Sequence, residues 1–369
     1  KEFLNVVIIL WILNLLLPFK KNPLSHIIFF MLHDFLKQSL IMAQIPFSTD
    51  EPLAQKSTFK VGSSAPLFVK PYTTEQFRSA IGGATAAELP FFVLGGGSNV
   101  VFPDSPLEAV VISTQNLSQI TVIDKDDVDD NTLSEDTVLV NCQCGTPMQA
   151  FVNFCTNHNL SGAQEFAGLP GTIGGAVYMN ARCFDKSISD ILYQTEQIEI
   201  VSKINTKVTT TNFNPSQWDY KKSPFQPNQE SNNSQEPTIP KYNFSEHKIF
   251  VSSATFKLTR KSPEEKSQIQ EECKKYINER KNKGHFNFPS AGSVFKNNRN
   301  FGAPSGKIIQ DADLLGYAIG GAQVAPFHGN IIINKENATA TQIKELVQHV
   351  QKVVKEKFGF SLEPEIIFL

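Results

Sequence analysis

The sequence predicts an α+β protein of two or three domains, and three observations lead there. The chain has 369 residues, beyond the ~250–300 at which a single hydrophobic core stops growing. Short apolar runs of strand length alternate with segments of helical periodicity. Hydrophobic residues make up 41% and charged residues 19%, an ordinary globular balance. A formal net charge of −2 gives no sign of a nucleic-acid partner. The basic run Lys274, Lys275, Arg280, Lys281 and Lys283 reads as a solvated helix face rather than a phosphate patch. Five cysteines (Cys142, Cys144, Cys155, Cys183, Cys273) are too few and too irregular for a disulfide framework. Cys142-Gln-Cys144 lacks a matching second pair, so no metal is expected, and reduced thiols fit the cytoplasm.

The amino-terminal stretch is almost wholly apolar over 3–17, then carries Lys20 and Lys21, with a second apolar patch at 27–30. The first patch is short for a membrane span, which needs ~20 residues, and it lacks the basic leader and cleavage site of a signal peptide. The chain opens on lysine, so residues 1–41 are read as translated upstream sequence without a partner in the fold, with the start at Met42 or Met31. A membrane anchor is the alternative; no stable membrane partner is expected.

A first block, 59–112, holds strand candidates at 66–69, 91–94 and 110–112 with a helix near 74–81. A second runs to 258, and its clearest helix starts at Pro147 behind Thr146, with Met148, Phe151, Val152 and Cys155 on one apolar stripe. Two polar stretches interrupt it: 124–136, an acidic hairpin loop, and 226–240, expected to be disordered. A strand follows at 249–258. Ser262, Pro263, Glu264 and Glu265 then open a helix reaching about 281, the start of a third unit. That unit ends with the strand "GNIIINKENATA", a helix bearing Ile343, Leu346, Val347, Val350, Val354 and Phe358 and stopped at Gly359, and a final strand in "LEPEIIFL".

Two stretches are unusually bare. "LGGGSNVVF" leaves a buried strand and opens into Gly95, Gly96, Gly97, Ser98 and Asn99, whose backbone amides can point at one anion. "EFAGLPGTIGGAVYMNARCF" brings Gly168, Pro170, Gly171, Thr172, Gly174, Gly175 and Ala176. Neither matches GxGxxG or GxxxxGK[ST], so neither a Rossmann fingerprint nor a Walker loop is supported. Two separate glycine-rich turns suit a ligand with two phosphates and a long flat body, the shape of a flavin dinucleotide.

"TFKVGSSAPLFVKP", "LGGGSNVVF", "EFAGLPGTIGGAVYMNA", "PSAGSVFKN", "GGAQVAPFHGNIIIN" and "LEPEIIF" follow one another in that order. Together they closely resemble the UDP-N-acetylenolpyruvoylglucosamine reductase (MurB) family, over about 57–369. The resemblance implies an FAD-binding fold of the vanillyl-alcohol-oxidase (PCMH) type: two α/β lobes over 57–258, split near 113, then a C-terminal α+β substrate domain over 259–369. It implies non-covalent FAD, NADPH as electron donor, and a UDP-sugar whose enolpyruvyl ether becomes the lactyl ether of UDP-N-acetylmuramate for peptidoglycan. A monomer is expected.

The resemblance also assigns roles. In "SAGSVFKN" the proton donor matches Ser293, and in "LEPEIIF" the catalytic acid matches Glu365, which stabilises a developing enolate when protonated or hydrogen-bonded through a neighbour. The family places an arginine in Tyr-Arg-x-Ser; here "WDYKKSPF" keeps Tyr220 and Ser223 but has Lys221 in the arginine position. Lysine retains the charge and loses the planar fork, and Arg182 is the alternative cation. Tyr220, Lys296 and Asn297 are substrate-binding candidates, and Asn180 is placed near the flavin.

Overall fold

The computed structural model describes residues 23–124, 128, 130–227, 239 and 242–369. Strands β1 (Phe47–Pro52), β2 (Ser64–Val69), β3 (Phe91–Leu94) and, beyond the short β4 (Val100–Val101), β5 (Val110–Ser113) make a first sheet ordered β1-β2-β5-β3. β2 and β3 both pair with β5 in parallel, so the chain between them must cross over, and the helix Thr74–Ala86 does so. Thr73 starts that helix by accepting a hydrogen bond from Gln76 N at 3.1 Å. Phe77, Ala80, Ile81 and Ala84, at helical spacing, bury its inner face.

Part of the amino-terminal segment has a partner after all. Residues 1–22 lie outside the described residues, but the helix Pro23–Met42 sets Leu36 and Leu40, 0% and 1% exposed, in the same core cluster as Phe77 and Ile81. Gly83 makes the room: a Cβ there would come within 2.9 Å of Leu36 Cδ1. The sequence reading failed because an apolar run shows that a partner is wanted and not which one. Among the described residues no helix is long and apolar enough to cross a membrane. Leu40→Ala is therefore expected to destabilise the protein by about 2–5 kcal/mol, read as a lowered Tm. An unchanged Tm would return the helix to solvent.

A second, antiparallel sheet uses β6 (Ile120–Ile123), β7 (Thr137–Gln143), β8 (Leu160–Ser161) and, beyond the separate pair β9 (Arg182–Cys183) and β10 (Lys186–Ser187), β11 (Leu192–Ser202), β12 (Asn205–Asn212) and β13 (Ile249–Arg260). Its order is β12-β11-β13-β7-β6; β8 joins β13, and β9 pairs with β10 apart. The acidic stretch 124–136 links the antiparallel β6 and β7, with 125–127 and 129 outside the described residues. The expectation of disorder at 226–240 also falls outside them, apart from Gln226, Pro227 and Ile239. The helix Met148–Asn157 begins one residue later than read, after an extended Pro147, and seats Phe151 on Phe256 of β13, ring centroids 4.7 Å apart. The helix Lys266–Asn282, read as opening the last unit, packs on this second layer: Ile269 and Cys273 share its cluster, and Cys273 Sγ lies 3.7 Å from Thr156 Oγ1.

The third sheet joins β14 (Ser290–Ser293), β15 (Ala318–Ile319), β16 (Ala322–Val324) and β17 (Ile331–Asn334) in the order β14-β17-β16-β15. The helix Ala340–Phe358 opens with a Thr339–Gln342 capping box and stops at Gly359, whose φ of +82° is left-handed. Ile343, Leu346, Val347, Val350 and Val354 are buried, but Phe358, in the last turn, is exposed. Asp104, from the first region, caps this helix through Ala340 N (2.7 Å) and Thr341 N (2.9 Å). The last strand, β18 (Ile367–Phe368), leaves the third sheet and pairs in parallel with β4.

Candidate functional site

The two glycine-rich turns meet face to face. A Cβ on Gly96 would stand 2.7 Å from Gly171 Cα, and one on Gly95 would run into Thr172 Oγ1. Ser98 Oγ donates to Pro170 O at 3.4 Å across the junction. The missing side chains thus serve the contact between the turns as much as access for a ligand. Both turns line one cavity of about 750 Å³, inside the roughly 300–1,000 Å³ range of small-molecule and cofactor sites.

The residues at this junction fit the phosphates of a dinucleotide. Thr58 and Thr172 line the cavity beside Gly95–Gly97, and their buried hydroxyls have no hydrogen-bond partner among the described residues. A buried hydroxyl without a partner carries a desolvation cost of about 1–3 kcal/mol, which a phosphate oxygen would relieve. Thr172 was expected here; Thr58 was not.

Three further expected residues, Ser293, Lys221 and Glu365, line the same cavity. Ser293 closes β14, where a register shift against β17 includes Gly292 at φ +70°. No atom lies within 4 Å of a Cβ built on Gly292, so the backbone conformation rather than space calls for glycine. The Ser293 hydroxyl, in the cavity wall, makes no hydrogen bond to any described residue. Lys221 Nζ meets Glu365 Oε1 at 2.5 Å, with the two side chains 13% and 10% exposed. Of the two candidate cations it is Lys221, and not Arg182, that meets the Glu365 carboxylate. Arg182 also lines the cavity but reaches Ser187 Oγ at 3.3 Å and Asp185 at 3.6 Å.

Lys221 is held in the left-handed region, φ +55°, at a cost of order 1–3 kcal/mol for a residue with a side chain. Neighbours hold the strain: Asp219 and Lys222 exchange backbone hydrogen bonds at 3.2 and 3.0 Å. Asn180 Nδ2 ties Asp219 O at 2.8 Å.

Two expected residues are engaged by other parts of the chain. Asn180 is buried between Met179 and Ala181, which line the cavity, and it supports the Lys221 turn; its amide also accepts from Ser189 N at 3.3 Å. Lys296 is outside the cavity lining and pairs with Glu363 at 2.5 Å. Tyr220 and Asn297 do line it, with Asn297 N donating to Tyr220 OH at 3.4 Å, although Asn297 Oδ1 is engaged by Ser305 N at 2.9 Å.

The basic run divides. Lys274, Lys275 and Lys281 are exposed as expected. Arg280 is buried in the cavity wall, donates to Ala167 O at 3.1 Å and lies over the Phe184 ring at 5.4 Å; Lys283 joins it there. His285 and His328 stand beside them, ring centroids 5.9 Å apart. Burial, then the positive charge of Arg280, lowers His285 to a pKa of about 4; burial, then Lys283, lowers His328. Elsewhere in the wall His247 stacks on Tyr242 at 4.6 Å, and burial brings its pKa to about 4. His328 lies in "GGAQVAPFHGNIIIN" but was given no role there; the others carry no local motif, and helical spacing alone could have placed only Arg280 on an inward face.

The profile of the UDP-N-acetylenolpyruvoylglucosamine reductase C-terminal domain matches residues 284–369, and that of an FAD-binding domain matches residues 65–202. A UDP-N-acetylenolpyruvoylglucosamine reductase of Treponema denticola is 41% identical over 318 residues, covering 86% of this chain and 92% of the relative. One of Treponema pallidum is 35% identical over 353 residues, with 86% and 92% covered. The solved structure of the reductase from Thermus caldophilus superposes with a TM-score of 0.60 at 24% identity, covering 88% of this chain and 98% of that one, a likeness of fold.

Proposed function

Since the chain belongs to the UDP-N-acetylenolpyruvoylglucosamine reductase family, we propose that it reduces the enolpyruvyl ether of UDP-N-acetyl-3-O-(1-carboxyvinyl)-glucosamine to UDP-N-acetylmuramate for peptidoglycan synthesis, with NADPH as electron donor. FAD, when bound, supplies the hydride chemistry, acceptance from the pyridine nucleotide and delivery to the methylene carbon of the substrate. The observation that carries the reading is the meeting of Ser293, Lys221 and Glu365 in the one cavity that both glycine turns line.

Gly95–Gly97, Thr58 and Thr172 would hold the pyrophosphate of the dinucleotide. A hydride added to the methylene carbon leaves negative charge on the neighbouring carbon, spread into the substrate carboxylate. Lys221 attracts that carboxylate and offsets the charge, and Glu365 keeps the ammonium aimed. Ser293 gives its proton to the carbon beside the carboxylate, completing a C–H bond on each end of the former double bond. Tyr220 and Asn297 bind the UDP-sugar. The described cysteines are all buried free thiols, which fits action in the reducing cytoplasm.

An anaerobic two-step titration tests this. The purified protein is yellow, NADPH bleaches it, and the enolpyruvyl sugar restores the colour with one equivalent of UDP-N-acetylmuramate formed. Acid precipitation releases all the colour, as befits a flavin held without a covalent bond. A reduced flavin that the sugar leaves bleached would overturn the reading.

A further inference from the structure

Asn99 ends the first glycine-rich turn, and the sequence places it with the cofactor. Its side chain is otherwise engaged. Nδ2 donates to the backbone carbonyl of Glu365 at 3.0 Å and lies 3.6 Å from Met179 Sδ, so both of its hydrogens have partners. The side chain therefore has no donor left for a phosphate, since its remaining polar atom is a carbonyl oxygen, which an anion does not bind; only the backbone of Asn99 can belong to the phosphate turn. Asn99 O in turn accepts from Ile367 N at 2.9 Å, where β4 and β18 begin to pair. From the other side Glu365 N donates to Val294 O at 2.7 Å, one residue from Ser293, and Lys296 N donates to Glu363 O at 2.9 Å. The backbone carrying the Glu365 carboxylate is thus gripped between the strand of Ser293 and the end of the glycine turn.

We propose that Asn99 is a positioning residue for the reduction step, fixing Glu365 and, through it, Lys221 relative to the phosphate-holding turn. The inference rests on the function proposed above. It explains why an amide is needed: a carboxylate has no hydrogen to offer the Glu365 carbonyl, and a shorter side chain does not reach it. It also predicts where a defect falls. Flavin reduction uses neither Lys221 nor Glu365, whereas sugar reduction needs both, and a misplacement of about 1 Å can cost ~10²-fold.

The test compares Asn99→Ala and Asn99→Asp with the wild-type holoenzyme in anaerobic stopped flow, together with FAD affinity from flavin fluorescence. Both variants are expected to keep their FAD affinity and their reduction by NADPH, while reoxidation by the enolpyruvyl sugar slows by about 10–10²-fold, with kcat falling more than KM changes. FAD affinity lost in step with turnover would make Asn99 a flavin ligand and overturn the proposal. So would equal slowing of both half-reactions with a lowered Tm, the mark of a merely structural residue. If wild type is reoxidised by the sugar and the variants match it, the Asn99 assignment alone fails; if wild type is not reoxidised, the functional reading fails with it.

Discussion

Ser293→Ala is expected to slow reoxidation of the reduced flavin by the enolpyruvyl sugar by about 10²–10⁴-fold, with reduction by NADPH nearly unchanged. The hydroxyl is needed only when the carbon beside the substrate carboxylate takes its proton, and no proton is added to substrate in the first half-reaction. Its freedom from hydrogen bonds to described residues, on a strand end turned by the register shift at Gly292, leaves that proton available. Ser293→Cys should retain more activity than alanine, because a thiol also donates. Rapid-mixing absorbance at the flavin band separates the two steps. Equal slowing of both would make Ser293 a part of the pocket wall and remove it from proton transfer.

Lys221→Met should lower kcat/KM for the sugar by about 10²–10³-fold, because truncating one partner of a buried hydrogen-bonded charge pair costs roughly 2–5 kcal/mol. Two losses combine: the substrate carboxylate has no cation to meet, and Glu365, 10% exposed, is left without the ammonium at 2.5 Å. The second loss also lowers stability, since an uncompensated buried charge is costly. Adding Glu365→Gln to Lys221→Met should therefore recover Tm without recovering turnover. Lys221→Arg keeps the charge and should stay within an order of magnitude of wild type. A Lys221→Met enzyme with normal KM and kcat would show that another cation, Arg182 foremost, meets the substrate.

The glycine turns were legible from their bare residue types, whereas Ser293, Glu365 and Lys221 were singled out only through the family resemblance of the runs that hold them; the structure sets all three in the wall of one cavity. The helices Thr74–Ala86 and Ala340–Phe358 were legible through their apolar spacing and, for the second, the stop at Gly359, whereas the caps at Thr73 and Thr339 went unread. What stayed hidden depends on contacts distant in sequence. Whether Asn180 touches a ligand or braces a turn is decided by Asp219 and Ser189. Arg280 looks like its neighbours Lys281 and Lys275 until the helix is docked. Lys296 and Lys221 are equivalent as letters, and only the positions of Glu363 and Glu365 send one outward and the other into the cavity.

The bond from Asn99 to Glu365 spans 266 positions of chain, and this has a consequence for the order of folding. Closing so long a loop costs on the order of 5 kcal/mol of chain entropy before any contact rewards it. The first sheet and its crossover helix join residues far closer in sequence and can form beforehand. The phosphate turn thus acquires its flanking strand β18 at a late stage, after most of the helix content is in place. During refolding, quenching of flavin fluorescence should trail the return of the helical circular-dichroism signal, and cofactor capture then acts as the latch on a chain already largely condensed.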